Sequence, residues 1–146
     1  GVLGAFARNP ASASFPDNGA SFQQFFREVQ TIMDPADPIN HVCNCASAKP
    51  LFLQKVRGDV VVPNSSTDRL IAAASMTKLK SGVNAVAPGQ PAYVTLTAGD
   101  HGSLFSPTAS AAATVELQTQ AIKFAASANQ AGGPFVVITN PAIVEQ

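Results

Sequence analysis

Asp59 and His101 are the two side chains of this sequence whose types and settings fit joint chemistry. Asp59 follows the run Leu51 to Gly58, and His101 lies in Gly99-Asp100-His101-Gly102, just after Tyr93 to Thr97. Each is an ionisable group delivered into a loop at the end of an apolar, strand-like run. A carboxylate so placed can hold an imidazole in one tautomer and stabilise the imidazolium, while the imidazole shuttles a proton. In sheet enzymes whose serine nucleophile stands on a strand-to-helix turn, the order along the chain is Ser, then Asp or Glu, then His. Asp59 and His101 keep that order. The first member is missing, because no G-x-S-x-G occurs anywhere in the sequence.

Rival groups fit less well. Asp34 and Asp37 stand beside Pro35 and Pro38 and read as helix punctuation, and Asp100 adjoins His101, where neighbouring loop side chains diverge. His41 has no acid at a suitable spacing and reads as structural or exposed. Ser65, Ser66, Ser103 and Ser106 lack the strained glycine-flanked turn that exposes a hydroxyl and supplies oxyanion donors. Ser103 reads as a hydrogen-bonding loop residue and Ser106 as a helix cap. Without a chemical role, Asp59 would be a turn aspartate and His101 a surface histidine. Cys43 and Cys45 are two positions apart, so a mutual disulfide would close a strained ring. With only His41 nearby, they fall short of the four ligands a structural zinc site takes.

The elements that must position Asp59 and His101 follow from periodicity. Residues 1–20 are rich in Ala, Ser, Pro, Asn and Gly without a clean period, which predicts a loop or lid-like connection. Phe22, Phe25, Phe26, Val29, Ile32 and Met33 then recur at helical spacing, with Ser21 as cap; the stripe is expected to pack in the core, with contact to a lipid surface as the alternative. Pro35 and Pro38 end that helix, and Asp37 is placed to cap a second one. Leu51 to Val56 predicts a buried strand, Asp68 to Ala74 a helix, Gly82 to Gln90 a loop, and Tyr93 to Thr97 a second strand. A helix from Ser106-Pro107 to about Ala128 and a last strand from Phe135 to Ile138 complete the series. Helix, strand, helix, strand, helix, strand predicts an α/β layered unit with right-handed crossovers. Its sheet is thin, so one edge strand needs a partner.

Three runs carry a family resemblance: Gln30 to Asn40 (Q-T-I-M-D-P-A-D-P-I-N), Leu53 to Asn64 (L-Q-K-V-R-G-D-V-V-V-P-N) and Gly99 to Pro107 (G-D-H-G-S-L-F-S-P). Together they resemble the C-terminal part of the secreted bacterial lipase/phospholipase family of α/β hydrolases, and Ala113 to Gln120 is similar to that family's closing helix. The resemblance runs from about Phe22 to Asn140, and D-P-A-D-P-I-N is its most particular piece. It implies that residues 21–146 are the C-terminal portion of an α/β-hydrolase three-layer sandwich, a mostly parallel sheet flanked by helices. Asp59 would be the acid and His101 the base of an ester hydrolase, either a lipase or a carboxylesterase. The serine nucleophile would come from an N-terminal part of the same hydrolase, and no metal or organic cofactor is implied. The implied substrate is a lipid or another ester. A peptidase or polyester depolymerase on the same fold is the alternative, and a non-catalytic secreted interaction domain is the alternative of another class.

Composition narrows the partners. Nine basic and nine acidic residues balance in a chain of 146 residues of which 12% are charged, so counterion-release binding to nucleic acid has no basis. Low charge and many small polar residues predict a secreted or cell-surface protein. Apolar runs are shorter than the roughly 20 residues that span a bilayer. Lipid-surface contact and a dimer formed through the open sheet edge are the associations to expect. One outcome follows directly from the missing motif. A serine-directed phosphonate should leave this chain unlabelled by mass spectrometry, and stoichiometric labelling of Ser65, Ser66, Ser103 or Ser106 would overturn the reading.

Overall fold

The structure, a computed structural model, describes residues 20–146, with side chains from Gln23 onward. Except for Ala20, the lid-like connection expected over residues 1–20 lies outside the described residues, as does the cap role expected of Ser21's side chain. The chain divides into two units, Gly1–His41 and Val42–Gln146.

In the first unit, α1 (Ala20–Met33) gives way at the expected prolines to a 3-10 turn, Asp34–Ala36. Helix α2 (Pro38–Ala48) begins here and continues into the second unit. Asp37 caps it as expected, its Oδ1 accepting the Ile39 N–H at 3.0 Å. The core role expected for the α1 stripe needs correction. Ile32 and Met33 are 76% and 53% exposed, while Phe25 meets Phe26 edge-on at 5.5 Å. Helical periodicity selects a face without supplying the surface that would cover it.

The second unit is built on a small parallel sheet flanked by helices. Strand β1 (Phe52–Val56) leads to α3 (Asn64–Ala73), followed by β2 (Thr77–Lys78), β3 (Gly82–Ala85), β4 (Ala92–Leu96), α4 (Ala111–Ala126) and β5 (Phe135–Ile138). The sheet order is β1-β4-β2, with both outer strands parallel to β4. β4 is central. Its alternate residues Ala92, Val94 and Leu96 are at most 3% exposed and pack with Val56, Leu117, Val136 and Val144 in the larger core. On the opposite face Leu53 and Tyr93 pack against a second cluster of Val42, Ala46, Ala74 and Met76. This is the two-sided burial of a parallel sheet, which is why its strands read as continuous apolar runs.

Two expectations are corrected by how β4 is paired. Its second edge is occupied first by β2 and then by the C-terminal segment, where Thr97 N–H donates to Ile143 O and Glu145 N–H to Thr95 O, both at 2.8 Å. β5 therefore has no place in the parallel sheet. It pairs antiparallel with β3, whose Gly-Val-Asn-Ala sequence reads as turn-like although it forms strand. The third helix starts at Asn64 rather than Asp68. The fourth starts at Ala111 rather than at Ser106-Pro107, because Ser110, extended at φ −166°, is the residue whose Oγ accepts the Ala113 N–H.

β1 is the other edge. Its odd-numbered residues bond to β4, as Arg57 N–H does to Leu96 O and Leu51 O does to Ala92 N–H. The backbone groups of Phe52 and Gln54 consequently point away from the sheet, and among the described residues no strand pairs with that side.

Glu116 of α4, 1% exposed, ties the layers together. It accepts the N–H groups of Thr139 (3.1 Å) and Asn140 (2.9 Å), the Thr139 hydroxyl, and Gln120 Nε2 at 2.7 Å. Gln120 Oε1 in turn accepts from Gln54 Nε2 at 3.0 Å, so the network reaches β1. A carboxylate satisfied by this many donors is favourable where a bare one would be costly. Glu116→Ala strands those donors in the core, and urea unfolding should register a loss of roughly 3 kcal/mol. A loss below about 0.5 kcal/mol, the usual range for a surface change, would show that the network contributes little.

Candidate active site

Asp59 and His101 are brought together because β1 and β4 are parallel neighbours, so both strands deliver their following loops to the same end of the sheet. His101 Nδ1 lies 2.9 Å from Asp59 Oδ2. A carboxylate only accepts, so Nδ1 carries the hydrogen and, in the neutral ring, Nε2 keeps its lone pair. That is the tautomer a general base needs.

Each loop is held by identifiable bonds. Asp59 Oδ1 accepts the N–H groups of Val61 and Val62, both at 2.9 Å, folding the residues after the acid around its free oxygen. Asn64 Nδ2 reaches back to Arg57 O at 2.9 Å and closes the same loop across its base. On the histidine side Gln118 Nε2 donates to Leu104 O at 2.9 Å and Thr114 Oγ1 to Ser106 O at 2.8 Å, fastening the loop to α4. The loops meet at two glycines. A Cβ on Gly58 would stand 2.8 Å from Gly99 O, and Gly99 itself has φ +102°, a conformation side chains disfavour.

Asp59 is 15% exposed and His101 is 50% exposed. Partial burial raises the Asp59 carboxyl, but its hydrogen bonds to His101 and to the backbone of Val62 and Val61, with the charge of His101, outweigh that effect. Its pKa lies below the ordinary value. Asp59 is therefore ionised at neutral pH, as a carboxylate that accepts from His101 Nδ1–H must be.

A cavity of about 340 Å³ opens beside the pair, lined by Gln54, Lys55 and Val56 of β1, Asn64 and Thr67 of α3, Leu117 of α4, and Leu104 and Phe105 beyond the histidine. It thus runs along β1 to His101. Val60, Val61 and Phe105, 90%, 65% and 87% exposed, form apolar flanks on the same two loops. The sequence reading did not single out this rim, although V-V-V after Asp59 was visible as an apolar run in a loop.

The remaining candidates lie elsewhere. His41 is exposed and its Nε2–H donates to Pro35 O at 2.7 Å within the first unit. Asp34 O accepts from Asn40 Nδ2 at 2.8 Å in the same turn region, and Asp37 is the cap described above. Asp100 points its Oδ1 at the Gly102 N–H (3.0 Å) and the Ser103 hydroxyl (2.9 Å), not at His101. Ser106 Oγ meets Thr108 Oγ1 at 2.8 Å. Cys43 and Cys45 are exposed free thiols. Among the described residues no group of three or more His, Cys, Asp or Glu could hold a metal ion, and no helix is long and apolar enough to cross a membrane.

No protein-family model, curated protein or solved structure matches the chain.

The lowered Asp59 value carries a pH consequence. Its contribution to stability is complete above the ordinary aspartate value of 3.8 and is lost as the pH falls through the lowered folded value. Asp59→Asn lacks it at every pH. The stability gap between the parent chain and Asp59→Asn, read by urea unfolding, should be widest near neutrality and close in acid. A gap unchanged down to about pH 2 would show that the ionised carboxylate is not what stabilises the loop.

Proposed function

We propose that this chain supplies the acid and base of a serine ester hydrolase of the α/β-hydrolase fold, a secreted lipase or carboxylesterase. The observation that carries the reading is the Asp59–His101 hydrogen bond, with Nε2 left over and a cavity beside it. His101 would take the proton from a serine hydroxyl as that oxygen attacks the ester carbonyl, then give it to the leaving alcohol. In the second half it would take a proton from water, whose oxygen attacks the acyl-serine, and return that proton to the serine. Asp59 stays ionised and holds the ring through both halves.

The serine and the oxyanion donors would belong to an N-terminal part of the same hydrolase. Two features support this: the absence of G-x-S-x-G, and the side of β1 that no strand among the described residues pairs, whose backbone groups are directed to where a further strand of a larger sheet would pair. The apolar flanks Val60, Val61 and Phe105 favour an ester with an apolar acyl group over a peptide. The open edge also weighs against a self-contained, non-catalytic interaction domain.

In the complete protein, His101→Ala should lower kcat for ester hydrolysis by roughly three orders of magnitude or more, because the base serves both acylation and deacylation. Asp59→Asn should be comparably severe through the wrong tautomer, whereas His41→Ala should leave kcat within about twofold. Equal losses from the His41 and His101 variants, or none from either, would reject the assignment.

A further inference from the structure

A half-exposed histidine on a glycine-flanked loop has many orientations open to it, and only one of them faces Asp59. Besides the ring's own bond to Asp59, the loop carries a buried tie at Ser103, which is 0% exposed although it is polar and stands two residues beyond His101. Its Oγ accepts the Asp100 N–H at 2.7 Å and donates to Asp100 Oδ1 at 2.9 Å, while its own N–H donates to Asp100 O at 3.2 Å. Asp100 Oδ1 also accepts the Gly102 N–H at 3.0 Å. Both residues flanking His101 are thereby closed into one ring of bonds. The hydroxyl fills the space beside Gly99, where a Cβ would stand 2.7 Å from Ser103 Oγ.

We infer that Ser103 is a positioning residue: through Asp100 and the backbone of residues 100 to 102 it locks the turn in which His101 presents Nδ1 to Asp59 and Nε2 to the cavity. The same contacts rule it out as a nucleophile. Its hydrogen is committed to Asp100, and its side chain is buried away from the cavity lining. A hydroxyl is required because one atom both accepts from the Asp100 N–H and donates to the Asp100 carboxylate. The Asp100 carboxylate contributes as an acceptor, a task its amide counterpart can also perform. The inference rests on the reading of His101 as a catalytic base, but its geometry can be tested without any reaction.

The test is nitrogen-15 NMR of the imidazole rings in this chain, which has two histidines, the His101 signals being assigned with His101→Gln. In the parent chain the neutral His101 ring should be mainly the Nδ1–H tautomer. In Ser103→Ala that preference should be lost in favour of Nε2–H, as in Asp59→Asn, with the His41 signals unmoved. Asp100→Ala, a change at an exposed side chain, should behave like Ser103→Ala. Asp100→Asn, which keeps the accepting oxygen, should retain the parent tautomer. Folded Ser103→Ala and Asp100→Ala chains with the parent tautomer would overturn the inference. Loss of the fold in both would overturn it too, making the pair structural rather than positioning. The hydrolase reading fails separately, if His101→Ala in the complete protein retains ester hydrolysis while the tautomer behaves as described.

Discussion

The candidate site depends on a close approach of two loop backbones that no side chain could tolerate. The Gly99 carbonyl oxygen stands 2.8 Å from where a Cβ on Gly58 would be, and the absence of that Cβ lets the turn after β1 and the turn after β4 share one space. The hydrogen bond from His101 to Asp59 spans only the gap that this contact leaves. A larger residue at Gly58 would force backbone apart, which is harder than moving the tip of a flexible side chain, whereas at Gly99, with φ +102°, it would strain the backbone and meet Ser103 Oγ at 2.7 Å. The glycines that read in the sequence as turn punctuation are therefore steric requirements of the pair, and the acid and base are placed by backbone first and by their own bond second.

Parallel pairing sets the other condition. Adjacent parallel strands end at the same side of the sheet, so an acid after β1 and a base after β4 can meet, whereas an antiparallel pair would send its loops to opposite ends. β4 carries the greater part of this. It is buried on both faces and paired on both edges, by β1 on one side and by β2 and the C-terminal segment on the other. Arg57 and Lys78 both reach Glu145, adding charge to that clasp and holding the Glu145 carboxyl below the ordinary range. His101 thus follows a strand paired on both edges, and Asp59 follows one that among the described residues is paired on one edge alone.

Much of this was legible in the sequence, for physical reasons that also mark where legibility stops. Leu51 to Val56 and Tyr93 to Thr97 announce strands because burial on both faces demands continuous apolar content, and both are strands within a residue of the expected limits. The ionisable residue after each was visible for the same reason, and the divergence of neighbouring loop side chains selected Asp59 over the adjacent Asp100. What failed were features decided by tertiary competition. Whether β5 joins the sheet depends on whether an edge of β4 is vacant, and β2 with the segment Ile143 to Glu145 that follows β5 already hold it. Whether the α1 stripe is buried depends on a covering surface that periodicity cannot report. Ser110 rather than Ser106 starts α4 because capping is fixed by the extended backbone at Ser110, and both serines precede alanine-rich sequence.

Two carboxylates, one buried and one half-buried, show how differently the chain treats similar chemistry. Glu116 is a carboxylate in the core whose oxygens are saturated by donors from α4 and from the turn after β5, so it has no lone pair to offer a reaction. Asp59 lies nearer the surface with one oxygen saturated by backbone and the other given to an imidazole whose far nitrogen is open. Both carboxyl groups are tied by hydrogen bonds, but only Asp59 passes its bond on to a ring that lines the cavity. The difference is one of connection rather than of residue type. A sequence pattern that marks carboxylates cannot separate them, whereas the position of each relative to the strand ends can.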